Sequence, residues 1–150
     1  MADTLDDGVA PDPDAGIAGA IPWHLWAVGA VGVLLNGYPA LDFTLTMLQA
    51  PAWLAMTPQN VREALENAPV WATAAWAIGG WSAFIGSILL LIRSAHAPRA
   101  FALSLAAAVV SFSWQYSVGI TPLVFALVIL TLIAFFWWYA ARMRDEGVLR

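Results

Sequence analysis

The 150-residue chain has no cysteine, no lysine, two histidines and only 11% charged residues. Without a thiol there is no disulfide exchange, thiolate catalysis, iron–sulfur cluster or Cys-ligated zinc or haem. Two histidines are too few for a His-only metal cage, although carboxylates could complete one. The six arginines form no patch suited to nucleic acid or anionic lipid. Also missing are a nucleophile–base pair, a phosphate-binding loop, an HExxH sequence and a GxGxxG arrangement. No residue requires an enzyme to explain it, so the expectation is a non-enzyme with no cofactor, no metal and no nucleic-acid partner.

What the chain has in quantity is apolar surface: 61% of its residues are hydrophobic. A soluble domain of this size has too little interior to hide that much. The apolar residues fall into four runs, roughly 22–47, 70–92, 101–118 and 122–141. Each is near the roughly 20 residues an α-helix needs to cross about 30 Å of hydrocarbon. The fold class expected is an all-α membrane protein, a four-transmembrane-helix bundle over residues 21–143.

The net charge of −4 is local, because five of the ten acids (Asp3, Asp6, Asp7, Asp12 and Asp14) precede residue 15. Residues 1–20 are Pro/Gly-rich as well as acidic, and read as a disordered tail rather than a cleavable signal peptide. Residues 144–150 read as a second short tail. Arg93 and Arg99 flank the second connection, Arg142, Arg144 and Arg150 follow the last run, and only Arg62 lies in the first connection. The positive-inside rule then places both termini in the cytoplasm of a bacterial inner-membrane protein and the first connection in the periplasm. In that connection Val61, Ala64, Leu65 and Ala68 recur at helical spacing, with Arg62, Glu63 and Glu66 facing away. Thr57–Pro58 suits a capped helix start, and Met56 is placed to staple onto Val61. A short periplasmic amphipathic helix is expected at about 58–67.

The first run is the least lipid-like. It holds Gly29, Gly32, Asn36, Gly37, Pro39 and Asp42, and Pro39 predicts a kink because it has no amide for the Leu35 carbonyl. The second run carries a stripe of small residues, Ala75, Gly79, Ala83 and Gly86, of the kind that lets helices approach closely in lipid. The third has Ser104, Ala108, Ser111 and Gln115 on one inward face. The fourth is nearly all large and apolar, and is expected to be the most lipid-exposed.

The polar residues inside the runs are the candidates for chemistry. Asn36 sits roughly 20 Å along its helix, near the bilayer centre. It suits either a ligand contact or an interhelical hydrogen bond to Ser82, Ser111 or the freed Leu35 carbonyl. Asp42 lies nearer the outer interface and could pair with Arg62 or cap the loop. Ser111 and Gln115 complete the candidate intramembrane polar set. His24 and His96 fall on one side of the membrane and read as polar anchors, or as a pair for haem or metal. Trp76 and Trp81 lie within the second run, where they could line a pocket or face lipid.

The segments HLWAVGAVGVLLNGYPALDFTLT and APVWATAAWAIGGWSAFIGSILLLIRSAHAPRAFALSLAAAVVSF resemble an uncharacterised family of small four-span proteobacterial inner-membrane proteins. The family pattern has W-N-x-x-G-x-x-D in the first helix, P-x-W-x-x-x-A-W in the second, and an R-x-x-x-A-x-P-x-F-x-x-S-L turn into the third. The likeness covers about residues 24–112, with Leu35 in place of the usual Trp and Pro39 in place of Gly. It implies the same fold and membrane. Members are sometimes labelled sugar transporters, a name no residue here supports. The expected partners are the lipid bilayer and other membrane chains or a second copy. The expected role is an accessory or assembly subunit, with an oligomeric small-solute transporter or channel as the alternative.

Overall fold

A computed structural model describes residues 21–150, so the expected tail over residues 1–20 lies outside the described residues. The described chain is all helical. In order the elements are α1 (Trp23–Met47), α2 (Pro51–Leu54), α3 (Gln59–Glu66), α4 (Val70–Leu91), α5 (Ala97–Ser117) and α6 (Leu123–Asp145). The four helices α1, α4, α5 and α6 are each long and apolar enough to cross a membrane. The molecule is a small multi-pass membrane protein, and the four-helix bundle is the architecture its sequence implies.

Several boundaries differ from expectation. α5 begins at Ala97 rather than near 101, because Pro98 sits in the first turn, where its missing amide costs nothing. α6 continues to Asp145, so Arg142 and Arg144 lie on the helix rather than beyond it. The single turn α2 was not expected. It forms because Pro51 starts a helix well. α3 matches the amphipathic segment, but its start does not use a hydroxyl cap: Pro58 occupies that position, and Thr57 Oγ1 instead donates back to the Trp53 carbonyl at 3.3 Å. Met56 is 72% exposed and is no staple. α1 runs through Pro39 as one continuous element.

All four long helices end the same way. The amides of Ala50, Ser94, Ile120 and Val148 bond carbonyls five residues back, at 2.8–3.1 Å. This closure needs a residue with positive φ. Gly119 and Gly147 supply it without strain, whereas Gln49 (φ 53°) and Arg93 (φ 60°) adopt it as non-glycine residues. Arg93 is held there by tertiary contacts: its Nε donates to the Val148 carbonyl at 3.1 Å, and its own carbonyl accepts from the Arg150 amide at 2.7 Å.

The helices pack in a chain, α1 on α4, α4 on α5 and α5 on α6, while α1 and α6 do not pack closely along their length. Small residues make the close crossings. A methyl on Gly80 would lie 3.2 Å from the Pro39 backbone, so α4 touches α1 main chain to main chain there. At Gly79 the neighbour is the Ala108 backbone of α5, 3.4 Å from such a methyl, and Ser104 Oγ donates to the Gly79 carbonyl at 2.7 Å. Gly86 lies against the Phe101 ring, Gly29 against Leu91, and Gly32 against Ser87 and Phe136. The small faces thus make close contacts between helices of the same protomer.

The core is concentrated at the end holding the α4–α5 turn. There Leu25, Leu90, Phe101, Phe136, Tyr139 and Met143 form one buried cluster, with Phe101 and Phe136 stacked 5.6 Å apart. His24 Nδ1 and Tyr139 Oη are 2.6 Å apart, tying the start of α1 to α6 at this end. The last residues are not a free tail. Leu149 is buried in the cluster, and Ala95 donates to the Arg150 carbonyl at 2.9 Å. α1, not α6, is the most exposed span: 22% of its apolar window is buried against 28% for α6.

Candidate functional site

α1 and α6 do not pack closely along their length, and the middle of the bundle and its α2–α3 end are hollow. A cavity of about 680 Å³ lies between α1, α4, α5 and α6, within the usual size range of small-molecule sites, about 300–1,000 Å³. Its floor is Phe136 and Ile133, next to the buried cluster. Thr57, Pro58, Val61, Leu65 and Thr121 line it at the opposite end, so α3 lies across the mouth with its apolar face inward.

All four sequence-predicted polar candidates, Asn36, Asp42, Ser111 and Gln115, line this one cavity. Asn36 reaches it from the middle of α1. Its Nδ2 donates to Ser87 Oγ of α4 at 2.9 Å, and Ser87 Oγ donates in turn to the Ala83 carbonyl at 3.0 Å. The partner is thus Ser87, not Ser82, Ser111 or the Leu35 carbonyl. Ser82 turns back to the Ile78 carbonyl of its own helix. The single bond from Nδ2 leaves Oδ1 of Asn36 free as an acceptor at the cavity wall.

Asp42 lies nearer the mouth on α1. It does not pair with Arg62. Trp53 Nε1 donates to its Oδ1 at 2.9 Å, and the Tyr38 ring lies 6.0 Å from the Trp53 ring. Arg62 is half-buried rather than turned to solvent, and its Nε has no hydrogen-bond partner. The ion pairs among the described residues, Arg142–Glu146 and Arg144–Asp145, are both near the end of α6. Asp42 is the one charged residue lining the cavity.

On the opposite wall a second set of polar groups is satisfied internally. Gln115 Nε2 donates to Ser111 Oγ at 3.0 Å, and Thr121 Oγ1 donates to Gln115 Oε1 at 2.7 Å. Trp76 packs edge-on to Phe43 with centroids 5.2 Å apart and lines the cavity, while Trp81 is turned outward. The packing residues Ala75, Gly79 and Ala83 share the wall, while Gly29, Gly32 and Gly86 lie outside it. Their small size matters twice, letting helices approach and leaving space open. His24 and His96 are not brought together: His24 meets Tyr139, and His96 meets Arg99 at 3.3 Å.

The sequence reading missed four contributors. Ser87 is 51 positions from Asn36 and gives no local signal. Trp53 lies 11 positions from Asp42, across the break between α1 and α2. Thr46 and Thr121 look like ordinary helix-end residues. Together the groups make an apolar chamber with acceptors on the α1 wall and self-satisfied amide and hydroxyl groups opposite. The described residues hold no group of three metal-ligating side chains. No known family, curated protein or solved structure matches the chain.

Proposed function

We propose that this protein is a non-enzymatic membrane protein that binds a lipophilic small molecule in the cavity between α1 and α6. The observation that carries this reading is a chamber of about 680 Å³ inside a single chain, with Asn36 and Asp42 presenting unsatisfied acceptor capacity to it. Sites of this kind are mostly apolar with a few placed polar groups that orient the ligand. The lateral gap between α1 and α6 offers entry from the bilayer. With the five-to-one distribution of arginine, both termini lie in the cytoplasm of an inner-membrane protein, and the mouth under α3 faces the periplasm. The likeness to small four-span proteobacterial proteins fits that setting.

A second reading, an accessory subunit for another membrane chain, is favoured by one observation. α1 leaves Val31 and Leu41 exposed outside the cavity lining. Native mass spectrometry of the protein extracted gently from its own membranes separates the two. The cavity reading expects a protomer carrying a small-molecule adduct that is lost in Ser111→Phe, which fills the chamber. A bare protomer with a stoichiometric second chain would overturn it in favour of the accessory role.

A further inference from the structure

The cavity has a polarity of charge as well as a shape. Asp42 alone among its lining residues is charged. Its carboxylate accepts one bond, from Trp53, and makes no ion pair. Asn36, two turns deeper on α1, presents a second acceptor, Oδ1, toward the same space. No lysine or arginine lines the chamber to supply a counter-charge. Beside the carboxylate stand the Trp53 and Tyr38 rings, tilted at 50° to one another, and Trp76 lines the wall across from them. Carboxylate, acceptor and aromatic faces together form an environment that favours positive charge.

We infer that the ligand class of this cavity is a lipophilic organic cation, with Asp42 as its counter-charge and the Trp53 and Tyr38 rings flanking it. This rests on the ligand-binding reading above and adds the sign of the ligand's charge. The apolar remainder of such a ligand would lie toward Phe125 and Ile133. A neutral ligand of the same size would gain the apolar contacts and nothing from Asp42.

The test uses the purified full chain in nanodiscs of zwitterionic phospholipid, with two probes of similar aromatic bulk: tetraphenylphosphonium, a cation, and triphenylphosphine oxide, which is neutral. Binding is read by calorimetry after subtraction of partition into empty nanodiscs. The cation should bind at least about tenfold more tightly, a modest share of what a half-buried charge pair can supply. In Asp42→Asn, which keeps the acceptor for Trp53, that ratio should fall to near one while the neutral probe is unchanged. The wild-type ratio needs no variant, so a misfolded Asp42→Asn cannot hide the answer. Equal binding of the two probes, or an equal loss of both in Asp42→Asn, would overturn the charge assignment while leaving the cavity reading standing. Saturable binding of neither probe would overturn both.

Discussion

The two ends of the bundle are made of the same apolar material and are filled differently. At the α4–α5 turn, Phe101, Phe136, Leu25, Leu90 and Met143 leave no gap, and the chain's last residues are folded in as an extra wedge. At the α2–α3 end the same four helices enclose a chamber. The difference lies in which side chains face inward. Large ones meet large ones at the closed end, where Phe136 reaches across to Gly32 of α1. At the open end α4 offers Ala75, Gly79 and Ala83, and α6 does not swing in to replace the missing volume. Lipid does not force a cavity shut, because the hydrocarbon outside is as apolar as the wall inside. Filled and hollow regions can therefore coexist in one small protein.

Six substitutions sharpen that contrast, four in falling order of effect and two, Phe125→Ala and Gly37→Ala, as controls. Phe136→Ala should cost most. Phe→Ala in aqueous cores costs about 3–5 kcal/mol, and in lipid the loss should sit at the low end because the unfolded helix keeps its side chain in hydrocarbon. Phe125→Ala, also an α6 residue but 54% exposed at the hollow end, should change stability by less than about 0.5 kcal/mol. Unfolding in mixed micelles followed by tryptophan fluorescence reports both, and equal losses would mean the two ends are not differently packed. Next, Leu149→Ala should cost about 2 kcal/mol, a large effect for a penultimate residue, because it is 4% exposed and part of the closed cluster.

Gly80→Ala should destabilise by about 1–2 kcal/mol. The added methyl meets the Pro39 backbone at 3.2 Å, and main chain cannot rotate aside. Gly37→Ala on the facing helix meets only the Phe84 ring, at 3.5 Å, and should be neutral or stabilising by up to about 1 kcal/mol from helix propensity. Reversed signs for this pair would show that α1 and α4 do not cross at Gly80. Apart from the two controls, the smallest stability effect belongs to Asn36→Leu. The bond to Ser87 is worth about 0.6 kcal/mol on the average for such pairs in membranes, yet ligand binding should fall well beyond that, since the cavity acceptor is lost with it.

Much of this was legible in the sequence. Runs of apolar residues long enough to cross lipid, and the period-four spacing in α3, gave the helices and nearly their bounds. Polar residues in apolar runs stand out because hydrocarbon makes them costly, so Asn36, Asp42, Ser111 and Gln115 could be singled out. That they share one chamber could not be seen. It depends on the order of helix packing, which lets α1 and α6 separate, and no local spacing encodes that order. The same holds for Ser87, and for Trp53 as the partner of Asp42 in preference to Arg62. The end of the chain misled for a different reason. Val148 and Leu149 are too few to read as a core element, and they are buried because Gly147 reverses the chain onto the cluster.

The most direct test of a filled end and a hollow end uses the absence of native cysteine. Thr46 and Leu25 both lie on α1 and are almost equally buried, at 6% and 0% exposed, but Thr46 lines the chamber and Leu25 lies in the closed cluster. Single cysteines at the two positions, in protein reconstituted in nanodiscs, would be challenged with a small charged thiosulfonate reagent. The account predicts that Thr46→Cys is modified at a measurable rate and that Leu25→Cys is protected until the protein unfolds. Equal protection of both cysteines would contradict it, since the α2–α3 end would then be as closed to water as the other.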